Sequence, residues 1–260
     1  RPLDKVDNAV DKVFGAGRGY SGTSEQANHQ DQMQDRSYVL VNIPGAQTNF
    51  TETEVFGSGA YSGLGMRLTA AEANASLESV TAVVDLVSGT IKNAYGASYN
   101  EGVTRRTVVN VPQGSTTVLS NLFGGGYGSL MSSPCDAIET NVNWSSNDAI
   151  VTGAVFGGNN NRRRTLFSTI NVNSKVRSDL SNPSYTGEIY GGGLGADTRS
   201  YYTVVNLKAN TDAYMVYGGG NAGNVLNKES FAAWKTIYDS EHTGAALYDV
   251  LGSDYDTPAG

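Results

Sequence analysis

Two short patterns of apolar and polar positions alternate along the chain. The first is an apolar residue, an aromatic and a glycine. It occurs as Val13-Phe14-Gly15, Val55-Phe56-Gly57, Ala94-Tyr95-Gly96, Leu122-Phe123-Gly124, Val155-Phe156-Gly157, Ile189-Tyr190-Gly191 and Val216-Tyr217-Gly218. Successive aromatics lie between 27 residues (Tyr190 to Tyr217) and 42 residues (Phe14 to Phe56) apart. Recurrence at that period marks a repeat architecture, in which neighbouring units bury a core that one unit cannot bury alone. The second pattern is apolar or Thr, then Asn or Asp, then apolar. It appears as Val39-Leu40-Val41-Asn42-Ile43, Val83-Val84-Asp85-Leu86-Val87, Val108-Val109-Asn110-Val111, Thr140-Asn141-Val142, Ile170-Asn171-Val172 and Val204-Val205-Asn206-Leu207. A period of two predicts strands with opposite faces of opposite character. Val41, Ile43, Val109, Val111, Val205 and Leu207 are expected to point inward. Asn42, Asp85, Asn110, Asn141, Asn171 and Asn206 are expected to form a polar column on the other face.

The two patterns alternate strictly after Phe14, so each unit reads as an Asn strand, a turn, an aromatic strand and a glycine-rich exit. Glycine is required where φ is positive or where backbones approach closely. Pro112-Gln113-Gly114-Ser115 and Ser145-Ser146-Asn147-Asp148 have the composition of tight turns. Helices are expected only as additions. Leu3, Val6, Val10 and Val13 have helical spacing, Thr69 and Glu72 fit a capping box for a helix at about 70–79, and Phe231, Trp234, Ile237 and Tyr238 predict one over 228–240. Residues 15–37 read as a polar loop, and Val250-Leu251-Gly252-Ser253 as a degraded eighth copy. The expected organisation is one domain over 1–260, with a repeat core at about 38–224, an N-terminal cap at 1–37 and a C-terminal helical cap or degenerate unit at 225–260.

The expected fold class is all-β: a single-chain parallel β-helix (solenoid) with short inserted and terminal capping helices. Leu122-Phe123-Gly124-Gly125-Gly126, Ile189-Tyr190-Gly191-Gly192-Gly193 and Val216-Tyr217-Gly218-Gly219-Gly220-Asn221 resemble the "VYGGGN" repeats of β-helical, adhesin-like surface proteins from gut Bacteroidetes. Ala94-Tyr95-Gly96-Ala97 departs from that pattern in lacking the triple glycine. The resemblance implies export to the cell surface, stacking of repeats and contact with a ligand or glycan. It carries over no catalytic residue.

Composition narrows the partners. Glycine is abundant (32 of 260 residues), charged residues are few (17%) and Tyr outnumbers Phe by 15 to 7, which suits a turn-rich β protein. A net charge of -7 argues against nucleic acid as a partner. One cysteine, Cys135, allows no internal disulfide and no Cys-rich metal site. There is no run of 18 apolar residues, hence no expected membrane span in this segment.

Candidate chemistry is sparse. Gly218-Gly219-Gly220-Asn221-Ala222-Gly223 matches a dinucleotide fingerprint but opens no helix, and Gly192-Gly193-Leu194-Gly195-Ala196-Asp197 is a single copy of a calcium repeat that works only in tandem. His29 and His242 lack neighbours at metal-ligand spacing, and Cys135 lacks a nucleophile context. Asp254 and Asp256 read as a tail charge pair. No cofactor or metal is expected. Arginines gather in the loops expected to lead into the Asn strands, at Arg36, Arg105, Arg106, Arg162, Arg163, Arg164 and Arg199. If aligned by stacking, they would form a basic stripe suited to carboxylate or sulfate groups of an acidic glycan. Tyr20, Tyr61, Tyr99 and Tyr127 follow their aromatic motifs and would offer ring faces to sugars, with Asn160, Leu194 and Asn221 in the same place later. The candidate ligand-binding residues are therefore Arg105, Arg106, Arg162, Arg163, Arg164, Arg199, Tyr99 and Tyr127. The leading expectation is a non-catalytic, extracellular or cell-surface protein that binds a glycan or a protein partner. One alternative is a polysaccharide lyase or glycoside hydrolase. Hydrolysis would need two carboxylates facing one groove, with Asp85, Glu54, Glu188 and Asp212 as the candidates. Another alternative is a spacer of a larger surface protein.

Overall fold

The computed structural model describes residues 10–17, 36–43, 45, 50–61, 64, 82–100, 102, 104–128 and 137–225. In chain order the strands are β1 Lys12–Phe14, β2 Ser37–Asn42, β3 Glu54–Phe56, β4 Ala82–Ser88, β5 Asn93–Tyr95, β6 Thr104–Val111, β7 Val118–Leu119, β8 Asn121–Phe123, β9 Ala137–Trp144, β10 Ile150–Val151, β11 Ala154–Phe156, β12 Asn160–Val172, β13 Glu188–Tyr190, β14 Leu194–Leu207, β15 Met215–Tyr217 and β16 Asn224–Val225. They form three parallel sheets. The aromatic sheet runs β1-β3-β5-β8-β11-β13-β15, the amide sheet runs β2-β4-β6-β9-β12-β14-β16, and β7 pairs with β10. Parallel strands in one sheet usually need a helical crossover between them. Here the connection is a strand of another sheet, since the chain passes from the amide sheet to the aromatic sheet and back.

This arrangement corrects the expected fold class. A single β-helix with inserted and capping helices is not what the strands form. Among the described residues there is no helix, and the strands are divided among separate parallel sheets, two of seven strands and one of two. The sequence patterns mark where strands lie and how often they recur. They carry no information on how many sheets the strands join. The helices expected at about 70–79 and 228–240, the copy at Val250, most of the N-terminal cap and most of the polar stretch at 15–37 fall outside the described residues.

The core lies between the two large sheets. Val39, Val84, Val109, Val142 and Ile170 of the amide sheet pack with Val55, Ala94, Leu122, Val155 and Ile189 of the aromatic sheet, and β7 and β10 add Leu119 and Val151. The inward direction expected for Val41, Val109 and Val111 is observed, and Ile43 and Val205 are half-buried against this core. Leu207 differs. It is 51% exposed, because β14 lies next to the end of its sheet and β16 reaches only Arg199 and Ser200.

On the other face of the aromatic sheet, the rings form one continuous stack. Phe14, Phe56, Tyr95, Phe123, Phe156, Tyr190 and Tyr217 lie 4.5–5.3 Å apart between successive centroids. In-register parallel pairing puts each ring directly over its counterpart, as at Phe56↔Tyr95. The glycine after each of the first six rings is required by close approach. A Cβ at Gly96 would lie far inside 3.0 Å of the Gly124 carbonyl oxygen, and the same holds along Gly15, Gly57, Gly124, Gly157 and Gly191. Hydroxyls of the amide sheet fasten this column. Thr107, Thr140 and Ser168 each donate to a glycine carbonyl at 2.6 Å (Gly124, Gly157 and Gly191), and Ser37 and Thr203 donate to Gly57 and Gly218.

Candidate functional site

The arginines do not form one stripe. Arg105 and Arg106 are consecutive in β6, so their side chains leave opposite faces of the sheet. Arg105 is 1% exposed. Arg106 stands in register with Glu139 and pairs with it (Nε to Oε1 3.3 Å). Arg162 pairs with Asp197 (3.5 Å), its register neighbour in β14. The backbone of Arg163 is in register with Thr198, and Arg164 with Arg199. These residues lie in strands instead of loops, and two of them face carboxylates. Of the candidates whose side chains are described, only Arg199 is exposed.

Tyr99 and Tyr127 do align. They bridge in parallel and their rings stack at 5.5 Å and 8°. Tyr127 in turn bridges Asn160, which is paired with Leu194. Stacking and edge contacts to Phe56 and Tyr95 occupy much of both rings, and Lys12 Nζ lies 5.1 Å from the Tyr99 centroid. This pair shields the ring stack. Tyr20, His29, Cys135, His242, Asp254 and Asp256 lie outside the described residues.

The outward face of the amide sheet brings together more chemistry. Register places its side chains in three rows. One holds Arg106, Glu139, Phe167 and Tyr202. The second holds Tyr38, Val83, Val108, Asn141, Thr169 and Val204, and the third Leu40, Asp85, Asn110, Asn143, Asn171 and Asn206. The third row is a hydrogen-bonded ladder. Asn206 Nδ2 donates to Asn171 Oδ1 (2.9 Å), Asn171 to Asn143 (3.0 Å), Asn143 to Asn110 (2.8 Å) and Asn110 to Asp85 Oδ1 (2.7 Å). The Tyr38 phenol, itself exposed, donates to Asp85 Oδ2 (2.7 Å), and that bond to a carboxylate raises its pKa. An amide has two N–H groups and two carbonyl lone pairs. Each interior Asn therefore keeps one donor and one acceptor beyond its ladder bonds, repeated at each strand, about 4.8 Å apart.

Two members of the expected column are displaced. Asn141 sits in the middle row, and Val142-Asn143-Trp144 supplies the ladder residue. That triplet also reads apolar–Asn–apolar, so the signal was present in the sequence. In β2 the register sets Leu40 against Asp85, so Leu40 takes the ladder position, and an irregularity after Val41 leaves Asn42 facing Ser88, whose hydroxyl donates to it. Phe167 and Tyr202 carried no motif, and only the pairing of β12 with β14 brings them together.

The candidate carboxylates do not converge. Glu54 and Glu188 start strands of the same sheet but are four strand spacings apart, from β3 through β5, β8 and β11 to β13, roughly 19 Å. Glu54 is held by Lys12 (3.3 Å) and Asn93 (3.1 Å). Glu188 accepts from the Tyr190 phenol (2.6 Å), and Asp212 pairs with Lys175 (3.3 Å). Among the described residues no three His, Cys, Asp or Glu side chains gather as metal ligands, and no helix is long and apolar enough to cross a membrane. Gly192 and Gly193 pack against neighbouring backbone, and Gly223 leads into strand β16. No family model, no curated protein and no solved structure matches this chain.

Proposed function

We propose that this chain is a non-catalytic, adhesin-like binding protein of the cell surface, and that its ligand is a neutral, hydroxyl-rich glycan lying along the outward face of the amide sheet. The carrying observation is the amide ladder. It offers a donor and an acceptor at each of Asn110, Asn143 and Asn171, beside a row to which Val83, Val108 and Val204 contribute apolar surface. Sugar hydroxyls both donate and accept, and their ring faces are apolar. Phe167 and Tyr202 at one margin and Tyr38 at the β2 end supply ring surface of the kind that stacks on sugars. In the three rows Arg106 is matched by Glu139 and Asp85 adds a carboxylate, a balance that favours neutral over acidic glycans.

The test is a neutral and acidic glycan array followed by calorimetry on the best binder. The double variant Phe167→Ala, Tyr202→Ala is expected to weaken binding about tenfold, the worth of an aromatic contact of roughly 1.4 kcal/mol. Absence of binding to any glycan would leave the spacer reading standing. Selective binding of acidic glycans that depends on Arg199 would move the site to the arginines.

A further inference from the structure

The aromatic sheet ends in two complementary edges. Within the sheet, each glycine amide donates to the carbonyl of the next ring residue, from Gly15 to Phe56 (2.9 Å) through Gly191 to Tyr217 (2.8 Å). By the alternation of a parallel ladder, β15 turns the amide of Gly218 and the amide and carbonyl of Val216 outward. β1 turns the carbonyls of Lys12 and Phe14 and the amide of Phe14 outward. Among the described residues, neither edge has a further strand on it.

The side chains repeat this complementarity. Tyr217 stacks on Tyr190 with one face and is 40% exposed, against 8% for Tyr190. Met215 and Val216 beside it are also exposed. Gly218 stands apart from its relatives. A Cβ there meets nothing within 4 Å, whereas at each of the other six positions it would strike the next glycine's carbonyl. Gly15 is the column member whose carbonyl faces no preceding glycine.

We infer that a second copy of this chain docks head to tail, β1 of one copy pairing in parallel with β15 of another. The register is that of every interior step, with Phe14 on Tyr217, Val13 beside Val216 and the Phe14 carbonyl accepting from the Gly218 amide. The contact is heterologous, so it propagates as a linear array and does not close as a two-fold dimer. Continuity with the six pairings already in the sheet selects this occupant, because β1 presents the same backbone groups, ring and glycine that β3, β5, β8, β11, β13 and β15 present to the strand before them.

Sedimentation of the full chain over a concentration series tests this. The wild type is expected to form multiples of the monomer mass that grow with concentration. Gly218→Ala should leave thermal unfolding unchanged yet abolish association, since its methyl would meet the Gly15 carbonyl of the next copy. Phe14→Glu and Tyr217→Glu should each be monomeric alone. An equimolar mixture of the two should give dimers and nothing larger, because each copy retains one intact edge. A wild type that stays monomeric at all concentrations overturns the inference, and so does association undiminished in Gly218→Ala. Glycan binding can persist or vanish independently, as neither edge belongs to the amide sheet.

Discussion

At the scale of single residues, the glycine column is the least replaceable feature. Gly96 has ordinary φ, so its lack of a side chain serves space alone. A methyl there would press on the Gly124 carbonyl and on Thr107, both fixed by the Thr107 hydroxyl bond. Gly96→Ala is expected to cost about 1–3 kcal/mol, the usual penalty of overpacking, read as a lower urea midpoint. Tyrosine titration offers a second reading of local environment. Burial, then the hydrogen bond to Glu188, pushes the Tyr190 pKa up to about 12. The folded state thus favours the protonated phenol more than the unfolded chain does, with its ordinary value near 10. That stabilisation is complete below about pH 10 and is lost as pH rises toward 12. Urea midpoints measured from pH 9 to 12 should fall more steeply for wild type than for Tyr190→Phe. Equal slopes would count against it.

At the scale of elements, most strands were legible because their periods are simple, and the ring stack was legible because one aromatic marks each copy. Faces were also legible for Val109 and Val111, which flank Asn110. Register was not. Asn141 and Asn143 both follow a residue that fits the pattern, and only the pairing of Asn143 with Asn110 and Asn171 decides between them. Asn42 misses the column because the register sets Leu40 against Asp85, and nothing in the sequence marks that choice. The ladder therefore invites a direct test of position. Asn143→Ala removes one donated and one accepted amide bond, whereas Asn206→Ala removes one. With each net hydrogen bond worth about 0.5–1.5 kcal/mol, Asn143→Ala should destabilise about twice as much. Chemical denaturation of the two variants side by side checks this, and equal losses would deny the ladder an energetic role.

At the scale of the whole molecule, repetition was legible, but the division into separate sheets was not. Chain length between copies says how often a strand returns. Which strand it returns to is decided by hydrogen bonding between residues some 30 positions apart. The candidate site suffered from the same gap. Arg105 and Arg106 looked like one basic feature in the sequence, yet neighbours in a strand face opposite ways. Phe167 and Tyr202, far apart in the chain, became one margin of a surface. The ladder on that surface has a further consequence. Every Nδ2 donates toward Asp85, so the row of amide dipoles points one way, with a carboxylate at its positive end. A polymer laid along it would not meet the same sequence of donors and acceptors in both senses. The face carries an arrow, and a chain with distinguishable ends would be held in one direction in preference to the other.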